Sequence, residues 1–230
     1  MSWKQTFCDA KFRRAAWMAI ATRITDNTNG NAGVIFYSAS LFRKAGTPVA
    51  LGNIVTMSFF VLGTLLASCI SGKFGRRPIQ LWSLVVINLC LFLMGICVML
   101  KWNNLLLGTM AIFFTFCQIG PCTIAWIYTS EIATKKSMSI AVTSTWIELL
   151  ILGMITKPLF DSTDYGFFVF GTVNSVMMLI MYLCMKETKG LSEVLISRLN
   201  VRDTQVKDMV ELPYLEKPAE ESVLVKDDLA

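Results

Sequence analysis

Apolar residues run along this chain in long blocks, separated by short polar or basic stretches. A bilayer core about 30 Å thick takes roughly 20 apolar residues per helix, and the blocks have that length. The pattern predicts six spans, at 15–41, 49–70, 79–100, 105–130, 137–155 and 166–185. The first is interrupted by the polar stretch "RITDNTNGNAG", and the third is uncharged throughout. Short connections predict that consecutive helices are antiparallel neighbours. Residues 1–14 read as a basic amphipathic segment without the apolar core and cleavage site of a signal peptide. Residues 186–199 hold "KETKG" and predict a short helix after it, on the cytosolic side. Residues 200–230 are charged and hold two prolines, the composition of a disordered tail.

Composition agrees with that pattern. Of 230 residues 54% are hydrophobic and 16% charged, against roughly 25% charged in soluble domains. The mean hydropathy is +0.57. The formal net charge of +5 sits at the ends of apolar blocks, which suits a membrane and not a nucleic acid. The expected class is therefore all-α, integral and multi-pass. The cysteines are seven, an odd number without a CxxC pair, so neither a disulfide scaffold nor a zinc site is expected. Histidine is absent, which removes the commonest general base. No enzyme chemistry, metal or cofactor is expected.

Lys and Arg in short loops set orientation. One side collects Lys4, Lys11, Arg13, Arg14, Lys73, Arg76, Arg77, Lys135, Lys136, Lys186 and Lys189; the other collects Arg43, Lys44, Lys101 and Lys157. The bias places both termini in the cytosol.

Hydrophilic side chains at membrane depth are costly and default to functional candidates. Asp26, Asn27 and Asn31 fall in the first span, beside Gly30 and Gly33. They read as the lining of a polar cavity for a hydroxylated solute, or else as a loop outside the membrane. In the fourth span, "QIGPCTIAWIYTSE" combines Gln118, the Gly120–Pro121 break, Trp126 and Glu131. Pro121 lacks a backbone donor and frees the carbonyl of Cys117. Trp126 offers an apolar plate and one N–H, suited to a sugar; the alternative is an interfacial anchor. Glu131, at the same end as Arg76 and Arg77, either pairs with a cation or is a solvated helix end. Glu148, mid-way along the fifth span, could carry a proton, pair with a cation, or be neutral and inert.

Four stretches, "GKFGRRP", "GPCTIAW" followed by "YTSE", "KETKG" and "GVIFYSASLFRKAG", resemble signatures of the sugar porter family of the major facilitator superfamily, which includes the glucose transporters. The resemblance covers residues 2–195 and corresponds to the C-terminal six-helix half of a twelve-helix fold. It implies a bundle that carries a hexose-like sugar by alternating access, with the solute between two halves. It also implies a separate or missing N-terminal half as partner, with the plasma membrane as location.

Carried over by motif, the implied sugar contacts are Asp26, Asn27, Asn31, Gln118, Trp126 and Trp146. The implied cytosolic gating cluster is Lys73, Arg76, Arg77, Glu131 and Glu187. Asp26 and Glu148 are candidates for proton coupling. The chain departs from the family pattern at Asp26 and Asn27, where it has two glutamines, and at Ala32, Phe60 and Thr145, where it has asparagines. The alternative function is a truncated, non-transporting membrane protein: a sensor, a partner half or a degenerate product.

Overall fold

The computed structural model describes residues 10–44, 48–162 and 165–190; the predicted tail, the short helix after residue 190 and residues 1–9 lie outside the described residues. All the regular structure described is helical: α1 (Ala10–Thr28), α2 (Asn31–Lys44), α3 (Val49–Ser71), α4 (Arg76–Leu100), α5 (Asn103–Cys117), a π-helical segment (Gln118–Ile124), α6 (Ala125–Ile132), α7 (Lys135–Ser162) and α8 (Gly166–Cys184). Among the described residues, five helices are long and apolar enough to cross a membrane: Val49–Ser71, Arg76–Leu100, Asn103–Ile132, Lys135–Phe160 and Gly166–Cys184.

The first predicted span is two helices. α1 ends at Thr28, and Gly30 adopts φ +86°, a left-handed backbone that favours glycine. The Gly30 N–H donates to the Asn27 carbonyl at 3.0 Å. Asn29 Oδ1 then accepts the N–H of Asn31 at 2.9 Å, capping α2 with a side-chain acceptor. The polar stretch is thus neither one continuous helix nor a long loop.

Pairing mostly skips along the chain. α1 and α2 pack on α7, α4 packs on α8 and α5, and α3 packs on α5 and the π segment. α3 and α4 are joined by a tight turn yet do not pack along their lengths, so the expected adjacency of consecutive helices does not hold throughout. A short connection restrains only the helix ends it joins.

The α7 pairing has a direction. Asn27 Nδ2 donates to the Thr145 carbonyl at 3.1 Å. Gly33 lies against Thr156, and the Tyr37 hydroxyl donates to the Phe160 carbonyl at 3.3 Å. Partners advance together, so α1 and α2 run parallel to α7 as two pieces of one rod. α7 itself continues past the predicted end at residue 155, through Pro158 to Ser162.

The main core joins α2, α4, α5, α7 and α8 around Ile87, Leu91, Met94, Phe113, Phe160 and Phe167. Tyr37 and Phe160 stack with ring centroids 4.5 Å apart. Apolar side chains also cover much of the outside. On α7, Trp146, Leu150 and Met154 form an exposed stripe at helical spacing, as suits a surface bathed by lipid or covered by another apolar bundle.

Candidate functional site

Two polar assemblies interrupt the apolar body. The first lies where the break between α1 and α2 meets the π segment, α6 and the middle of α7. It begins with Arg23, whose residue is 1% exposed. Arg23 Nη2 lies 2.9 Å from Asp26 Oδ2, one helical turn on, at a spacing that brings the two onto one face. The guanidinium carbon sits 3.7 Å from the centroid of the Trp126 ring.

The other partners come from the neighbouring helices. Asn31 Nδ2 reaches Cys122 Sγ in the π segment at 3.4 Å. The Thr28 hydroxyl is hydrogen-bonded to Glu148 Oε1. Among the described residues, Arg23 Nε and Nη1, Asn29 Nδ2, Asn31 Oδ1, Gln118 Oε1 and Glu148 Oε2 are buried without a hydrogen-bond partner. Leaving such groups unpaired carries a desolvation cost; six of the eleven such atoms among the described residues lie here, and the rest belong to Arg77, Gln80, Thr129 and Asn174.

The backbone explains why they converge here. Pro121 cannot donate to its own helix, and residues 118–124 take up a wider π turn, a form that recurs at functional sites. Gly120 lets this turn come close to α4: a Cβ there would stand 2.3 Å from the Ser83 Cβ. Gly63 does the same on α3, where a Cβ would stand 2.7 Å from the Thr115 carbonyl oxygen and 2.8 Å from the Gln118 Cβ.

The second assembly closes the basic end of the bundle. Arg76 Nε and Nη2 both donate to Glu131 Oε1, at 3.1 and 2.9 Å, and Nη1 donates to the Ser71 carbonyl at 3.0 Å. Glu187 caps α4 from outside that helix. Its Oε1 accepts the N–H of Arg76 at 2.8 Å and its Oε2 that of Arg77 at 3.1 Å. The N–H groups of Thr188 and Lys189 donate to Oε1 as well.

A carboxylate on the first N–H groups of a helix also meets the positive end of the dipole. Burial pushes the Glu187 carboxyl up, but hydrogen bonds from Lys189, Arg76, Arg77 and Thr188 outweigh it and hold the group below its ordinary value. The Thr188 hydroxyl donates to Glu131 Oε2, and the Lys189 ammonium donates to the Lys73 carbonyl. Lys73 takes part through its backbone, with its side chain exposed.

Most residues singled out in the sequence fall into these two places. Asp26, Asn27, Asn31, Trp126 and Glu148 gather at the α1–α2 break. Gln118 stands one turn before Cys122, against Gly63 of α3. Trp146 is 63% exposed and heads the apolar stripe of α7, outside the cluster. Arg23 was not among the sequence candidates, although a lone arginine three residues before Asp26 in an apolar block marks a buried pair. Also missed was the polar contact between α4 and α8, where Asn88 Nδ2 donates to Ser175 Oγ at 2.9 Å.

Comparison with known proteins adds ancestry. The family model described as "Sugar (and other) transporter" matches residues 1–199. The "Sugar transporter ERD6-like 10" of Arabidopsis thaliana is 27% identical over 205 residues, covering 82% of this chain and 45% of that protein. The "Solute carrier family 2, facilitated glucose transporter member 2" of Mus musculus is 26% identical over 204 residues, covering 82% of this chain and 38% of the other. The chain thus spans less than half the length of either relative. The solved structure of the major facilitator superfamily "proton:xylose symporter XylE bound to 6-bromo-6-deoxy-D-glucose" shares the fold, with a TM-score of 0.73 at 20% identity. The match covers 80% of this chain and 42% of that one.

Proposed function

The chain belongs to the sugar (and other) transporter family, and from that premise we propose that it forms one six-helix body of a sugar carrier. In this reading α1 and α2 together make the sixth crossing beside the five apolar ones. The solute is hexose-like and lies between this body and a complementary six-helix body, and alternating access moves the two against each other. The excess of Lys and Arg at one end puts that end in the cytosol, and the membrane is the plasma membrane.

The observation that carries the reading is the set of buried, unpartnered polar groups of Arg23 and Asn31, on either side of the α1–α2 break, and of Gln118 and Glu148, mid-way along apolar spans. Groups of this kind lower the free energy when a polyhydroxylated ligand supplies the missing partners. Asp26, Asn27, Asn31 and Gln118 then bind hydroxyls, and the partly exposed Trp126 lies against the apolar C–H side of the sugar. Trp146 reaches the solute from the outer face of α7 when the complementary body closes over it. Arg76, Glu131 and Glu187 hold the cytosolic end shut while the opposite side is open.

The test is uptake of radiolabelled hexoses and polyols into proteoliposomes, with this body assembled in the complete carrier. Gln118→Ala is expected to reduce uptake about two- to twelvefold, the equivalent of one net hydrogen bond at 0.5–1.5 kcal/mol. Trp126→Ala reduces it as well. Uptake unchanged in both variants overturns the site assignment.

A further inference from the structure

Resting on the reading of the α1–π–α7 cluster as the solute site, we propose that Glu148 is the group that takes up and releases a proton during transport, and that Arg23 holds Asp26 out of that role. The cluster contains two carboxylates and one guanidinium. Arg23 is committed to Asp26 at 2.9 Å and lies over the Trp126 ring. Among the described residues, no cation forms an ion pair with Glu148.

The surroundings of Glu148 sharpen the contrast. From α1 it is faced by Arg23, Asp26, Asn27 and Thr28. The π segment brings Cys122, which lies beside Asn31. α2 also packs on α7, but its Tyr37 lies three turns further along, against Phe160, and its Arg43 is exposed. α8 contains no charged residue. On α7 itself the next cation, Lys157, is exposed nine residues on. An ionised Glu148 therefore stands mid-helix without an ion pair of its own, facing only the Arg23 charge that Asp26 already shares, a costly state at membrane depth.

Thr28 supplies the switch. Its hydroxyl is within reach of the Ile24 carbonyl, at 2.8 Å, and of Glu148 Oε1. A hydroxyl has one hydrogen, and the Ile24 carbonyl can only accept. If Thr28 donates to Ile24, then Glu148 must be protonated and donate to Thr28. If Glu148 is a carboxylate, Thr28 turns to donate to it and leaves Ile24 to the helix. One proton added to or removed from Glu148 thus reverses one hydrogen bond. Thr28 is the last residue of α1, immediately before the break at Asn29–Gly30, so a movement at that break changes how Glu148 is held.

Two measurements test this. The first is an infrared titration of the purified chain in lipid nanodiscs, following the carboxylic C=O stretch. The chain has 16 Asp and Glu, so the Glu148 band is read as the wild-type spectrum minus that of Glu148→Gln. A difference band that grows on acidification is expected, and the same component is expected to persist in Asp26→Asn. Thr28→Val, which removes the donor to the carboxylate, should keep that component to higher pH. No difference between wild type and Glu148→Gln, or loss of the component in Asp26→Asn, overturns the proposal. If Glu148→Gln does not fold, the Thr28→Val shift decides, and its absence overturns the proposal.

The second measurement is the ratio of sugar uptake with and without an inward proton gradient, in the complete carrier. The ratio should exceed one in the wild type and fall to one in Glu148→Gln. A wild type that carries sugar with no response to the gradient overturns the role of Glu148 and leaves the sugar reading standing. A wild type that carries no sugar overturns that reading, while the infrared band still decides Glu148.

Discussion

The guanidinium of Arg23 lies over the indole of Trp126, its central carbon 3.7 Å from the ring centroid. A desolvated cation over an aromatic face contributes about 2 kcal/mol, and here the same cation also holds Asp26. Trp126 is thereby braced on one side while remaining 41% exposed. Its orientation depends on a residue that sequence motifs did not single out.

Breaking that pair from one side should cost more than replacing it. Removing a single partner of a buried ion pair typically costs about 3–5 kcal/mol, whereas replacing both by apolar residues of similar volume is often neutral. Asp26→Leu alone is expected to lower the thermal unfolding midpoint clearly, and adding Arg23→Met should restore most of it. A double variant no more stable than Asp26→Leu would count against a strained, stranded guanidinium.

Arg76 and Glu131 link α4 to α6 with side chains 18% and 23% exposed. A partly buried pair of this kind contributes on the order of 1 kcal/mol, enough to shift a conformational balance roughly fivefold. Arg76→Ala is expected to change the uptake rate by that order and to leave equilibrium sugar affinity nearly as it was. Ligand titration beside uptake kinetics separates the two, and a selective loss of affinity contradicts the assignment.

The Glu187 cap gives a pH dependence of known sign. Its carboxyl is held below the ordinary value of 4.5 by four backbone N–H groups, against the opposing effect of burial. A depressed folded-state value adds stability that is complete above the unfolded value and is lost as pH falls through the folded one. The wild type should therefore lose stability as pH drops below about 4.5, and Glu187→Gln should lose less over the same interval. Unfolding midpoints measured across that interval with parallel slopes for the two proteins would exclude the cap as the cause.

Gly120→Ala places a methyl 2.3 Å from the Ser83 Cβ. Overpacking of this kind costs about 1–3 kcal/mol. Ser83→Gly removes the obstructing side chain, so the double variant should be more stable than Gly120→Ala alone. Additive losses in the two variants would show that the π turn and α4 are not in the contact described.

The amount legible from sequence followed the strength of each physical signal. Long apolar blocks located α3, α4, α5 to α6 and α8 within a few residues, because a bilayer demands length; α7 was found but runs seven residues beyond its expected end. The α1–α2 break was readable as polarity but not as shape: the Asn29–Gly30 pair ends one helix and caps the next, and that geometry appears only when the backbone is laid down. The basic-end assembly was foreshadowed by opposite charges at matching helix ends. Neither Glu187 as a cap on another helix nor Arg23 beneath Trp126 could be found by spacing, since both depend on helices far apart in the chain. The α7 neighbours were likewise hidden, because short loops say little about which rods lie side by side.

Since α1 and α2 both ride on α7, in the same sense and over most of its length, the break at Gly30 does not separate the two pieces. A tilt of that single support is handed to both at once, so the polar cluster at the break is carried along with the helix beneath it. The shared rail supplies timing.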